Sequence, residues 1–348
     1  MKILILGGTR FLGRALVDEA IARGHEVTLF NRGSNKEMFP QVEQVIGDRN
    51  SDAALLKGRK WDVLIDTCGF APHQIRKAAE ALGDNIEHYT FISSISVYKD
   101  WIPLNIAEDY PLLPMLPEDK LADVEAGKLS PYEYYGELKA LCEAEAEKHW
   151  PGSVLHVRAG LLVGPFDYSD RLPYWVQRVA RGEKVLVPGR SSRPVQLIDI
   201  KDIASWVLTM AEKRTAGTFN VTGPKNILTI EELLNTCKAI SNSNAEFVWA
   251  EEPFLLKHKV LPWTEMPLWI PESSPLEGEA KPWKGAFSFN IEKAVHAGLS
   301  FRPLEDTIYD IYQWENARTN DERKAGISLA KEQELLELWL QEVKKGII

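Results

Sequence analysis

Cysteine is scarce in this chain: three in 348 residues, Cys68, Cys142 and Cys237, with no CxxC pair among them. That scarcity excludes a disulfide framework and a cysteine-rich metal site, and it suits a reducing compartment. Histidine is sparse too, seven in all and never in HxH or HExxH spacing, so no catalytic metal is expected. No apolar run reaches the roughly 18 residues of a spanning helix. The opening "KILIL" stops at Gly7 and Gly8 and meets Arg10 too early to serve as a secretion signal. A cytoplasmic protein without a membrane partner is expected. Positive charge is also short: 41 Lys and Arg stand against 50 Asp and Glu, a net −9. Such a field repels phosphate backbones overall, which argues against a nucleic-acid partner while allowing a local basic pocket.

What the chain does have is alternation. Over residues 2–158, short apolar runs trade places with stretches of helical periodicity: "KILIL", "FLGRALVDEAIARG", "EVTLF", "VEQVIG", "DVLIDTCG", "HQIRKAAEALG", "YTFISS", a helix around "YYGELKALCEAEAEK", and "VLHVR". Continuous apolar strands between helices predict a parallel sheet covered on both faces, because each crossover helix lies across one of them. The expected fold class is α/β, doubly wound. Residues 100–130 break the pattern with proline and acid; too long for a plain connector, they read as a lid or binding loop. A second irregular stretch, 251–284, carries Trp263, Trp269 and Trp283. Pinning that stretch to the core is the plainer expectation, with stacking on a flat ligand the alternative. Residues 322–345 have the spacing of an amphipathic helix.

At Gly7-Gly8-Thr9-Arg10-Phe11-Leu12-Gly13 the first strand breaks into glycines and opens a helix. Gly7 permits the tight turn, Gly13 lets helix and sheet approach, and free amides at the helix start face a pyrophosphate. Thr9, Arg10, Phe11 and Leu12 fall within that predicted dinucleotide site, although such turns also occur as plain structure. About 20 residues onward an acid would hold the adenine ribose and an arginine would accept a 2′-phosphate. The tip reads Phe30-Asn31-Arg32-Gly33, with no acid. Arg10 and Arg32 facing one ribose make sense if it carries a phosphate, since a planar fork grips phosphate oxygens in pairs. NADP is therefore the expected cofactor, NAD the alternative, and Arg10 stacking on adenine or reaching solvent the plainer reading. Asp48, in "VIGDRN", is placed to accept from the adenine amino group or simply to form its turn.

Of ten tyrosines only Tyr135 has a lysine four residues on, Lys139, in a helix-forming stretch. That spacing puts both on one face. An ammonium beside a phenol favours the phenolate, so the pair predicts an acid/base group acting while hydride moves to or from the same carbon. "TFISS" ends in Ser93-Ser94, where a hydroxyl is positioned to hold the reacting oxygen.

These segments together resemble the extended short-chain dehydrogenase/reductase family, the NAD-dependent epimerase/dehydratase group. Members carry a Ser or Thr three residues before a Val-Tyr pair, which points to Ser94 ahead of Val97-Tyr98, and a YxxxK pair matching Tyr135 and Lys139. Later segments follow in family order: "VRAGLLVGP", "QLIDIKDIA", "GTFNVTGP" and "FNIEKAVHAGLSFRPLEDTI". The resemblance implies a Rossmann domain over 1–162, a smaller mixed substrate domain over 163–348, and 195–223 folding back onto the first. It also implies that Lys139 holds the nicotinamide ribose, and that Cys68, Gly69, Ser93 and Gly160 lie beside the cofactor. A homodimer through the Tyr135 helix and its neighbour is implied as well.

Departures from the family limit the substrate assignment. Arg10 sits at the usual middle glycine, as in atypical members including chloroplast stem-loop RNA-binding proteins. Leu161 and Val195 stand where nucleotide-sugar enzymes often carry an asparagine and a diphosphate-clamping arginine, with Arg193 a candidate substitute. The expected function is an NAD(P)-dependent oxidoreductase or epimerase acting on a secondary alcohol or ketone, with a sugar-like compound among the candidate substrates. A non-catalytic NADP-binding sensor and an RNA-binding protein are the alternatives.

Overall fold

A run such as Ile3–Leu6, with each residue at most 1% exposed, has no face to offer water and must be covered on both sides. The computed structural model, which describes residues 1–319 and 322–345, covers it with helices. The first half runs β1 (Lys2–Leu6), α1 (Phe11–Ala22), β2 (Glu26–Asn31), β3 (Glu43–Ile46), β4 (Trp61–Asp66), α2 (Pro72–Leu82), β5 (Ile86–Ser94), α3 (Glu118–Glu125), α4 (Tyr135–His149) and β6 (Val154–Ala159). The second runs β7 (Leu162–Val163), α5 (Arg171–Ala180), β8 (Lys184–Pro188), β9 (Pro194–Val195), β10 (Ile198–Asp199), α6 (Ile200–Glu212), β11 (Gly217–Val221), β12 (Leu228–Thr229), α7 (Ile230–Ser241), β13 (Glu246–Ala250), α8 (Glu252–Lys257), α9 (Glu292–His296), α10 (Leu304–Asn316) and α11 (Leu329–Lys344).

Seven strands form one sheet in the order β11-β6-β5-β4-β1-β2-β3, every pairing parallel. This is the doubly wound α/β fold expected from the alternation. Side chains along a strand point to opposite faces in turn. In β1, Ile3 and Ile5 therefore pack with Leu16 and Val17 of α1 and Ile203 and Val207 of α6. Leu4 and Leu6 pack with Ile75 and Ala79 of α2 and Cys142 and Ala146 of α4. The chain winds outward in both directions from β1, with Leu6 opposite Phe30 on one side and Asp66 on the other. Such a reversal opens a crevice at the carboxyl ends of the strands.

A second core gathers α5, α7, α10 and α11 around the β8–β13 pair, with Trp175, Leu233, Ile311 and Trp339 inside it. Within residues 322–345 the helix begins at Leu329 and presents Leu335, Leu336 and Trp339 to that core. Its Glu332 is buried against Arg178 at 2.6 Å. Ala294 of α9 and Leu299 return to the first core.

Residues 100–130 divide in two. Tyr98 bridges Leu112 and Ile106 bridges Phe289, while Leu116 and Val124 pack on Leu138 of α4 and Glu125 pairs with Arg76 of α2. That second part covers some of the α2–α4 face through which the resemblance implies a homodimer. Trp269 is fully buried and donates its indole N–H to Glu252 at 3.0 Å, so it pins its loop as the plainer reading expects. No described helix is long and apolar enough to cross a membrane.

Candidate active site

Gly7 and Gly8 hold φ of 101° and 88°, a region in which side chains are strained, and the Gly7 N–H donates to Phe30 O at 3.0 Å. A Cβ on Gly13 would sit 2.9 Å from Gly8 N and Cα, so the helix approaches the turn as closely as backbone allows. Helix α1 has no side-chain cap and no acid in its first turn. Its free amides are the donor set that a pyrophosphate takes. Gly13→Ala must push backbone apart, and a Kd measured by cofactor fluorescence should rise by about tenfold or more, a loss of at least about 1.4 kcal/mol.

A cavity of about 460 Å³ runs along the strand ends and is lined by Gly7, Thr9, Arg10, Phe11, Leu12, Gly13, Asn31, Arg32, Asp48, Cys68, Ser93, Ser94, Tyr135, Lys139 and Gly160. Residues from six strand ends thus converge on one crevice. Gly69 is the exception: it does not line the cavity, and its carbonyl is turned to Lys139.

At one end Arg10 and Arg32 are both exposed, and neither hydrogen-bonds another described group. Asn31 accepts from Gly33 N at 2.7 Å, closing the tip. Asp48 accepts from Asn50 N at 2.8 Å: its carboxylate forms the turn, as the plainer alternative has it. The residue beside it went unread in the sequence. Arg49 reaches Asp66 through two bonds of 2.8 and 2.7 Å and lies 3.2 Å from Cys68 Sγ. Tyr89 OH donates to the same carboxylate at 3.0 Å. Burial pushes the Asp66 carboxyl up, but the Arg49 charge and hydrogen bonds overcome it and hold Asp66 below its ordinary range. Cys68 lies two residues past the end of β4 and is part-exposed; burial of its sulfur raises the thiol pKa. An aspartate in the apolar strand "DVLID" was the available signal, because a buried carboxylate requires a partner.

At the other end Tyr135 opens α4 and Lys139 follows one turn later, 3% exposed. The Lys139 ammonium donates to Gly69 O at 2.8 Å and Ile92 O at 2.7 Å, and stands 5.8 Å from the Tyr135 ring centroid. The depressed phenol pKa expected from the pair is not what the site produces. Burial raises the Tyr135 pKa, opposed by a hydrogen bond with Ser94, while burial lowers that of Lys139. The physical reason is that the ammonium directs its protons at two carbonyls and lies against the ring. Ser93 lines the cavity, but strand parity points its hydroxyl at α4, where it donates to Glu143 at 2.5 Å, itself paired with Arg158. Only Ser94 presents its hydroxyl near Tyr135.

Beyond Tyr135 a second cavity, about 680 Å³, shares Phe11, Phe70, Ser94, Tyr135 and Gly160 with the first. Its walls include Trp101, Trp263, Trp283, Phe287, Phe289 and Leu161. Arg193 lies outside both cavities, 1% exposed, with Nη1 on Leu268 O at 2.6 Å. Burial lowers its pKa to about 10. It is a core residue and cannot stand in as a diphosphate clamp.

A glycine turn at an uncapped helix start, above a doubly wound sheet and continuous with a Ser-Tyr-Lys cluster, defines a dinucleotide-binding Rossmann protein of the short-chain dehydrogenase type. The model of the NAD dependent epimerase/dehydratase family matches residues 3–222, and the chain belongs to that family. Relatives that carry reductase and epimerase names are among the matches. The chain is 28% identical over 257 residues to chloroplast stem-loop binding protein of 41 kDa b from Arabidopsis thaliana, a match over 68% of this chain and 62% of that one. It is 25% identical to phenylcoumaran benzylic ether reductase TP7 from Nicotiana tabacum, over 88% of this chain and 96% of that one. UDP-glucuronic acid 4-epimerase from Bacillus cereus, solved with NAD, shares the fold at a TM-score of 0.64 and 16% identity, covering 92% of this chain and 100% of that one.

Proposed function

We propose that the protein is an NADP(H)-dependent reductase that interconverts a carbonyl and a secondary alcohol. The observation that carries this reading is the meeting of Ser94 and Tyr135 where the two cavities join, with Lys139 lining the first. The dinucleotide, when bound, supplies hydride chemistry at its nicotinamide ring. Tyr135 holds the proton that the new alkoxide takes, and burial keeps that phenol protonated. Ser94 steadies the reacting oxygen. Lys139 fixes Gly69 and Ile92 beneath the crevice and stands where the resemblance implies a ribose. Tyr132 stacks 6.4 Å from Tyr135 and Phe70 lies 6.3 Å away, packing about its ring. An epimerase would use the same first step with no net cofactor consumption, so sustained NADPH loss with a ketone present separates the two.

The raised Tyr135 pKa sets the pH dependence. The acid form is needed for reduction and persists below the pKa, so reductive kcat/KM should stay flat past the ordinary tyrosine value of about 10 before falling. Oxidation needs the base form and should climb across the same alkaline range. A reductive rate already falling near pH 8 contradicts this assignment.

Arg10 and Arg32 support NADPH over NADH, because no acceptor among the described residues competes for either guanidinium. Titrated by fluorescence, NADPH should bind at least about tenfold more tightly than NADH, and Arg10→Ala with Arg32→Ala should erase the difference. An equal affinity in the native protein overturns the preference. The stem-loop-binding relative supports a second reading, RNA binding, against which stands the net charge of −9. Tight, salt-sensitive retention of RNA on filters would favour it.

A further inference from the structure

We propose that the cavity beyond Tyr135 takes a planar aromatic molecule bearing one carboxylate, with the body held among Trp101, Trp263, Trp283 and Phe287 and the carboxylate gripped by Arg171. The inference rests on the reductase reading for the position of the reacting carbonyl, and goes beyond it in naming the substrate class and its anchor.

The walls exclude most alternatives by what they leave unpaired. Gln196 spends both ends of its amide on Phe289, donating to its O at 3.0 Å and accepting from its N at 2.8 Å. Ser169 donates to Asp167 at 2.6 Å. A sugar, whose hydroxyls each need a partner once water is stripped away, finds few donors or acceptors among these side chains. Leu161 lines the cavity where an amide would be useful to a sugar. Flat rings find the opposite: indole and phenyl faces on several sides, which favour offset or edge-to-face stacking.

One cation faces this apolar space. Arg171 and Asp167 are the only charged side chains among the described lining residues. Arg171 lies 4.6 Å over the Trp263 ring and makes no hydrogen bond or ion pair with any described residue, so its fork is held by stacking with its donors unspent. Stacked guanidinium is preorganised for a carboxylate, which it meets through two parallel bonds. Asp167 does not satisfy it: one carboxylate oxygen is taken by Ser169, the other is buried without a partner, and burial raises its pKa. A diphosphate would bring more negative charge than this single guanidinium answers.

Calorimetry on the full-length protein tests this without turnover. The probes are 2-naphthoate, 6-methoxy-2-naphthoate and 4-phenylbenzoate, each beside its methyl ester, and UDP-glucose. At least one acid should bind about tenfold more tightly than its ester, and Arg171→Gln should bring that ratio to within roughly twofold while leaving ester affinity in place. Trp263→Ala should weaken acid and ester together. The proposal is overturned if no acid outbinds its ester, if the preference survives Arg171→Gln, or if UDP-glucose binds more tightly than every acid. Because binding alone is read, acids that bind normally to a protein inactive toward every carbonyl would sink the reductase reading and leave this one standing. Turnover of neutral ketones with no acid preference would do the reverse.

Discussion

Tyr135→Phe lowers kcat with NADPH and a responsive ketone by about 10²–10⁴-fold, the usual worth of a positioned acid, while dinucleotide affinity stays near that of the native protein. The expectation follows from what the substitution removes. Phenylalanine keeps the ring that stacks on Tyr132 and tilts against Phe70, so α4 and the cavity wall survive. Only the hydroxyl beside Ser94 is lost. Lys139→Met is a poorer probe of the chemistry, because it strips Gly69 O and Ile92 O of their buried donor and mixes folding with catalysis. Ser94→Ala should cost less than Tyr135→Phe, since the proton source remains. Unchanged turnover in Tyr135→Phe would leave a dinucleotide-binding shell and favour a sensor.

Arg49→Met should destabilise the protein by about 3–5 kcal/mol, the cost of leaving a buried charge without its partner, visible as a lower midpoint in denaturant. Asp66 is fully buried and takes two bonds from Arg49, one from Tyr89 and one from Cys68 N. The native pair holds Asp66 below its ordinary range. Its contribution is therefore present above the unfolded carboxyl value of about 3.9 and is lost as pH falls through the depressed folded value. In Arg49→Met burial outweighs the remaining bonds from Tyr89 and Cys68 N and the sign reverses: the folded pKa rises, and stability is lost as pH climbs through it. Adding Asp66→Asn to Arg49→Met should recover part of the loss. A single variant as stable as the native protein at neutral pH would show that the pair carries no such role.

Features that lie along one element were readable in the sequence. Gly7 and Gly13 bracket a single turn, and Tyr135 and Lys139 share one helical face, so spacing alone brings each pair together. The apolar alternation likewise yields the parallel sheet, because buried strands and crossover helices leave few other arrangements. Features that depend on the third dimension were not readable. Arg49 and Asp66 are separated by a strand crossing, and only a carboxylate stranded in "DVLID" hinted at the pairing. Ser93 and Ser94 differ by strand parity, which the run "TFISS" does not reveal without its register on the sheet. Arg193 looked available for a ligand because an arginine in a polar loop is ordinarily exposed; its burial against Leu268 O is decided by the second core. Arg171 carried no signal at all, since its importance comes from Trp263, distant in sequence and folded over it. The direction of the Tyr135 pKa is hidden for the same reason: spacing shows the pair but not the two carbonyls that claim the ammonium.

The most direct measurement is a crystal structure of the protein grown with NADPH. The pyrophosphate should lie on the amides of α1, the 2′-phosphate between Arg10 and Arg32, and the nicotinamide C4 beside Tyr135 Oη with room for a substrate carbon at a near-attack distance of about 3–3.5 Å. A dinucleotide bound in the opposite direction, with its adenine against Tyr135, or none bound in the crevice at all, would contradict it.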